Sequence, residues 1–275
     1  DVKAKLTAAG MEDAYRELEV VNAANTQHLE TYKSFLYNRL QRKGSDSKDI
    51  HRLAARDRHV FAALMLAHGH GDGLVTGATR KSAHVLERLN HVFDANARHG
   101  AVGITALLHK GRIVFIGDTL VHEWPNEEDL ANIAEKGAKV ARHMGLEPRV
   151  AFVSFSTFGY PVSERAEKMQ RAPDVLDARG VDFEYEGEMT VDVALNAESQ
   201  KNYPFSRLTG PANILVVPAR HSASISVKLM QEMAGATVIG PILTGLDKSI
   251  QICSTTSTAN DILNMAILAA CKVGE

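Results

Sequence analysis

The stretch NEEDLANIAEKGAKVARHMGLEPRVAFVSF, residues 126–155, decides the fold class. Asn126 is a good helix N-cap, and Asp129, three residues on, can return a hydrogen bond to its backbone. Leu130, Ile133, Ala134, Ala141 and Met144 then share one face at helical spacing, so a helix is expected from Glu127 to Met144. From Val150 to Phe155 the texture changes to an apolar run, as a strand buried on both faces requires. A helix feeding such a strand is the repeating unit of an α/β protein. Working outward, strands of the same kind are expected at Val102–Leu108, Arg112–Gly117, Val181–Tyr185 and Asn213–Val217. Lys110-Gly111 reads as a hairpin turn, which places an antiparallel pair at the edge of a mostly parallel sheet.

Toward the N-terminus the period is helical. Tyr32, Phe35, Leu36, Arg39 and Leu40 form one face that stops at Lys43-Gly44, and a second helix carries Leu53, Val60, Phe61, Leu64 and Met65 before breaking at Gly69, Gly71 and Gly73. Leu74–Ala78 reads as a short buried strand, with Ser82 as the cap of a helix through Asn90.

Composition narrows the class. The chain has 275 residues, 45% hydrophobic and 23% charged, with 20 glycines and 8 prolines, an ordinary globular balance rather than a disordered or fibrous one. Its 31 basic and 33 acidic residues give a formal charge of -2, so no overall field draws it to nucleic acid or to an anionic membrane. No apolar run approaches the ~20 residues of a membrane span, and Asp1–Leu6 lacks the pattern of a signal peptide. Cys253 and Cys271 are too few for a disulfide framework, which points to a reducing cytoplasm and to buried, inert thiols.

Ligands of open α/β sheets bind at loops following the strands. Four such loops are rich in small polar residues: Thr76–Ser82 with Gly77, Arg80 and Lys81; Ser154–Gly159 with Ser156 and Thr157; Pro218–Ser224 with Arg220, His221 and Ser222, opening a helix that bears Lys228; and Cys253–Asp261 with Ser254. Any one alone is best read as helix capping, and Thr258 with Asp261 is near a capping box; four together favour an anion-bearing ligand. The last helix presents Ile262, Met265, Ala266 and Ala269. His68-Gly69-His70 with His59 lacks metal-site spacing, so no metal is expected. Glu184, Glu186 and Glu188 alternate on one strand face, read as solvated. Dinucleotide, Walker and nucleophile-elbow motifs are missing from the sequence.

The segments LVTGA (74–78), LEPRVA (146–151), GPANILV (210–216) and GATVIGPIL (235–243) resemble the phosphate acetyltransferase (phosphotransacetylase) family, in order from about Glu19 to the end. FGYPVSER (158–165), VDFEYEGEM (181–189) and HSASIS (221–226) resemble, more closely still, the C-terminal phosphotransacetylase-like domain of bacterial NADP-dependent malic enzymes. The resemblance implies two αβα subdomains of the isocitrate/isopropylmalate dehydrogenase-like, phosphotransacetylase type, with a cleft between them. They are expected at 1–92 with 246–275 and at 93–245. It also implies acetyl-CoA or CoA as ligand, a homodimer, and a malic enzyme domain, with its NADP and divalent metal, lying outside this chain together with an opening βαβ segment. In active members CoA thiol attacks acetyl phosphate, an aspartate takes the thiol proton, a serine steadies the oxyanion and arginines hold the phosphate. The aspartate and serine fall on Asp261 and Ser254, but the arginine positions read Thr255 and Glu87, with Arg88 one residue off. Thr76, Gly77, Arg80, Ser156, Thr157, His221, Ser222, Ser224 and Lys228 are the expected ligand contacts. The expectation is an acetyl-CoA-binding regulatory domain of an enzyme that oxidatively decarboxylates malate to pyruvate. Its competitors are an active phosphate acetyltransferase using Arg80, Arg88 or Arg220, and a dimerisation scaffold.

Overall fold

The computed structural model describes residues 2–94 and 100–273. Five helices come first, α1 (Val2–Ala8), α2 (Glu12–Glu17), α3 (Leu29–Leu40), α4 (Ser47–Arg56) and α5 (Arg58–Ala67), followed by β1 (Gly73–Gly77) and α6 (Ser82–Leu89). Then come β2 (Val102–His109), β3 (Arg112–Gly117), α7 (Glu127–His143), β4 (Arg149–Val153), α8 (Glu164–Arg179), β5 (Glu184–Met189), α9 (Val191–Leu195) and α10 (Ala197–Gln200). The chain closes with β6 (Ile214–Val216), α11 (Arg220–Ala234), β7 (Thr237–Thr244), β8 (Ser249–Cys253) and α12 (Ala259–Ala270).

Six strands form one sheet in the order β5-β4-β6-β3-β2-β7, and β1 pairs with β8 in a second. Pairing is parallel from β5 through β3 and between β1 and β8, and antiparallel at β3-β2 and β2-β7. The α/β class and the mostly parallel pairing are as the sequence indicates. Asn126 caps α7 in a full capping box with Asp129. The hairpin turns at Lys110 and Gly111, both with positive φ, as a two-residue loop with right-handed strand twist requires. One face of the large sheet packs Ile104, Phe115, Phe152 and Ile214 against Leu130, Ile133, Met169 and Leu176 of α7 and α8. The other face buries Leu107, Ile116, Val153 and Leu215 with Ala223 of α11. Helices α3 to α6 surround the small sheet through Tyr32, Leu36, Leu53, Leu64, Val85, Ile250 and Ile252.

Several expectations are corrected. The helix read through Leu53–Met65 is two helices, because Asp57 leaves helical geometry (φ -92°, ψ 109°) and its side chain caps α5 through His59 N and Val60 N. Ser82 is the first residue of α6, whose N-cap is Lys81 without a side-chain hydrogen bond. The strand expected at Val181–Tyr185 starts at Glu184. On that strand Glu186 and Glu188 are buried rather than solvated: Glu188 accepts from Ser156 Oγ, Gly159 N and Gln170 Nε2, and Glu186 from Gly187 N and Arg207 N. The buried face of α12 is Met265, Leu268 and Ala269, leaving Ile262 outward. Cys271 is exposed, and Cys253 alone is buried. Strands β7 and β8 carry no simple apolar pattern. Buried Gln251 in β8 uses its side-chain amide as a strand would, donating to Leu243 O and accepting from Leu243 N, and so joins the small sheet to β7. Residues 1, 95–99 and 274–275 of the expected subdomain division lie outside the described residues. No described helix is long and apolar enough to cross a membrane.

Candidate functional site

Strand β8 ends at Cys253, and the chain must turn before α12 can begin. The turn is hydroxyl-rich because hydroxyls satisfy the free N–H groups of a helix start. Thr258 Oγ1 accepts from Asp261 N (3.2 Å), while Asp261 Oδ2 accepts from Thr258 N (2.7 Å) and Thr258 Oγ1 (2.9 Å). Asp261, so held, lines a cavity of about 270 Å³ between α11, β7, β8 and α12. Lys228 lines it from α11, and Cys253, Ser254, Thr256 and Ser257 line it from the end of β8 and the loop that follows. Ser254 Oγ lies 3.1 Å from Thr256 Oγ1 and accepts from Thr256 N at 3.3 Å. Thr255 is exposed and does not line the cavity. Burial first, and then the Asp261 charge, push the Cys253 thiol above its ordinary value, so it stands protonated at neutral pH.

Behind Cys253 a second cavity, about 280 Å³, is lined by Thr76, Gly77, Ala78 and Thr79 with Arg58, His59 and Ile262. Gly77 has φ +110°, and a Cβ there would stand 2.2 Å from Cys253 O, so only glycine lets β1 close on β8 at this point. Thr76 Oγ1 hydrogen-bonds His59 Nδ1 at 2.7 Å. Burial holds the His59 imidazole below its ordinary pKa despite the Asp57 carboxylate, and the fields of His84, Arg80 and Arg58 add to the lowering. A third cavity, about 790 Å³, adjoins it and is lined by Arg56, Asp57, Arg58, His59, Thr79, Arg80, His84 and Arg88.

The structure thus brings Ser254, Asp261 and Lys228 together, places Thr76 and Gly77 behind them, and sets Arg80 with other arginines farther out. Ser156, Thr157, His221, Ser222 and Ser224 line none of these three cavities. Ser156 is fully buried against Glu188, and Thr157 Oγ1 accepts from Thr190 N. His221 packs its ring on Trp124, and Arg220 reaches Leu120 O and Glu123. Glu87 is exposed, 3.7 Å from His84, while Arg88 pairs with Asp57 at 3.4 Å. Sequence reading missed Arg56, Arg58 and His84. The available signal was Asp57, an N-cap type inside an apparently continuous helical period. Among the described residues no group of His, Cys, Asp and Glu is arranged to hold a metal ion.

The profile of the family described as phosphate acetyl/butaryl transferase matches residues 1–270. An NADP-dependent malic enzyme of Rhizobium meliloti is 49% identical over 257 residues, which are 94% of this chain and 34% of that protein. A phosphate acetyltransferase of Corynebacterium glutamicum is 30% identical over 260 residues, 93% of this chain and 78% of that protein. A phosphotransacetylase structure from Streptococcus pyogenes superposes with a TM-score of 0.88 at 25% identity, over 99% of this chain and 83% of that one. The chain spans about a third of the length of the malic enzymes it matches.

Proposed function

Because the chain belongs to the phosphate acetyl/butaryl transferase family, we propose that it serves as an acetyl-CoA-binding regulatory domain of an NADP-dependent malic enzyme, without significant acetyl transfer of its own. One observation carries the second half of this reading: among the described residues, Lys228 is the sole cation lining the Ser254–Asp261 cavity. Transfer between CoA and acetyl phosphate needs a base at the thiol, a donor at the oxyanion and fixed cations on the phosphate. Asp261 and Ser254 can supply the first two. Where active relatives place arginines, this chain has exposed Thr255 and Glu87, and neither brings a positive charge to the cavity. Loss of such a cation costs on the order of 100-fold or more in rate. The cations available to the transferase reading are also displaced: Arg220 is engaged by Leu120 O and Glu123, and Arg80 and Arg88 line the cavity on the far side of His59.

As a binding site the region fits the ligand better. Hydroxyls of Ser254, Thr256 and Ser257 and the Lys228 ammonium offer donors to an acyl-CoA carbonyl and amides, and apolar Val227, Val238, Ile239 and Met265 can take its methyl and methylene groups. Occupancy would be coupled to the attached malic enzyme by about 1 to 3 kcal/mol, the usual range for linked sites. A homodimer belongs to the same reading, supported by Ile225, Leu229 and Met233, which expose a stripe at four-residue spacing on α11. Light scattering should return twice the mass of one chain.

The test is an assay of acetyl-CoA formation from acetyl phosphate and CoA, using chain freed of host enzyme. Background turnover is expected, and restoring Thr255→Arg with Glu87→Arg should raise it if the cleft still closes on CoA. A turnover of about 10 per second or more in the unmodified chain would establish the transferase instead.

A further inference from the structure

The two faces of the large sheet are not equally covered. On one, α7 buries eight of its 17 residues, and Ile104, Phe115, Phe152 and Ile214 beneath it and α8 are wholly sealed. On the other, α11 buries Ala223 alone among its 15 residues, and α9 has only five residues, about 7.5 Å of helix. Three neighbouring strands, spaced about 4.8 Å apart, are too wide for so short a helix to cover. A hollow of about 330 Å³ is left between α9 and α11. Its floor is apolar: Leu107 of β2, Val114 and Ile116 of β3, and Leu215 and Val217 of β6.

One end differs. His109 closes β2 and Arg112 opens β3, directly opposite each other in the hairpin register, and both line the hollow. Arg112 Nη2 donates to Leu195 O at 3.2 Å, which engages one of its five N–H donors with a neutral acceptor. Among the described residues no carboxylate pairs with Arg112 or lines the hollow. A guanidinium is best satisfied by a planar carboxylate, through two parallel charge-assisted hydrogen bonds, whereas the floor is best satisfied by hydrocarbon. The two demands meet in one molecule if it is an amphipathic anion. Along β3 the run from Arg112 to Ile116 measures about 13 Å, and alternate residues share a face, so a chain leaving the guanidinium along this strand meets Val114 and then Ile116.

We propose that the hollow between α9 and α11 binds a short- to medium-chain aliphatic monocarboxylate, with its carboxylate on Arg112 and its hydrocarbon chain over Val114, Ile116 and Leu215. The inference goes beyond the acetyl-CoA reading and does not require it. The α11 stripe offered for the homodimer shares only Leu229 with this lining, because Ile225 and Met233 do not border the hollow.

The experiment is calorimetric titration of the whole chain with butanoate, hexanoate and octanoate, and with hexanamide as a neutral match for hexanoate, in the unmodified protein and in Arg112→Gln and Ser226→Phe. Arg112 and Ser226 are exposed, so the fold should survive, and thermal unfolding checks it. Saturable binding of the carboxylates is expected, tightening about fourfold with each added methylene, the ratio that burial of one CH₂ gives, until the hollow is full. Hexanamide should bind about tenfold more weakly than hexanoate, and Arg112→Gln should bring hexanoate down to the hexanamide level while leaving hexanamide unmoved. Ser226→Phe places a ring in the hollow and should abolish binding of all four. Absence of saturable binding up to about 1 mM octanoate, affinity independent of chain length, or equal binding in Arg112→Gln or Ser226→Phe overturns the proposal. So does hexanoate affinity that falls as protein concentration rises while light scattering reports a dimer, since a second copy would then occupy the hollow. A chain that binds hexanoate but not acetyl-CoA keeps this proposal while the acetyl-CoA reading falls, and the opposite result separates them the other way.

Discussion

Two segments of similar composition follow strands and precede helices, and they end in opposite states. In 154–159 the hydroxyls are turned inward: Ser156 Oγ donates to Glu188 at 2.6 Å, and Thr157 Oγ1 is bonded to Thr190. In 253–261 the hydroxyls of Ser254, Thr256 and Ser257 border a cavity. The cause lies in the neighbouring strand. The β4-β5 register shifts between Phe152 and Val153, leaving Glu188 unpaired in the ladder, with its carboxylate on the Ser156 loop. Beside 253–261, among the described residues, no buried carboxylate of a neighbouring strand reaches in, and the hydroxyls bond only within the loop, Ser254 to Thr256 and Thr258 to Asp261, so they stay at the cavity wall. Composition nominates a loop for binding; which donors remain unengaged decides whether it can bind.

The largest expected effect that would sharpen this contrast comes from Glu188→Ala. It leaves a buried hydroxyl, a backbone N–H and an amide without their acceptor, and should cost about 3 kcal/mol in a denaturant titration while leaving acetyl-CoA affinity intact. A loss of affinity at unchanged stability would break the contrast. Gly77→Ala comes next, at roughly 1 to 3 kcal/mol, because the new Cβ meets Cys253 O at a backbone geometry that L residues avoid. Here stability and acetyl-CoA affinity should fall together, since β1 holds β8 in place and β8 walls the Ser254–Asp261 cavity. Lys228→Ala should do the reverse of Glu188→Ala, weakening acetyl-CoA about tenfold while stability stays within about 0.5 kcal/mol. The smallest effect is kinetic. Exposed Cys271 should alkylate readily, whereas Cys253, buried and with its thiol pushed up in pKa, should react slowly and more slowly still with acetyl-CoA present. Mass spectrometry of the labelled peptides reads both.

Much of the fold was legible because local signals agreed with the global one: the α7 capping box, the apolar run of β4 and the Lys110-Gly111 turn each point to a single structure. What escaped reading was built from polar residues in apolar roles. Gln251 acts as a strand partner and Glu188 as a loop anchor, and neither has a periodicity that a sequence reveals. For the site, the hydroxyl loop and Lys228 were visible. The arginine cluster was not, because Asp57 hides a helix break inside a helical pattern and the cluster exists only once that break has formed.

The measurement that bears most directly on the account is a calorimetric titration of the chain with acetyl-CoA. One saturable process is expected, with a dissociation constant in the micromolar range, about -8 kcal/mol at 1 μM, weakened in Lys228→Ala. The contradicting result is the absence of saturable binding up to about 1 mM, which would leave less than about 4 kcal/mol for the interaction.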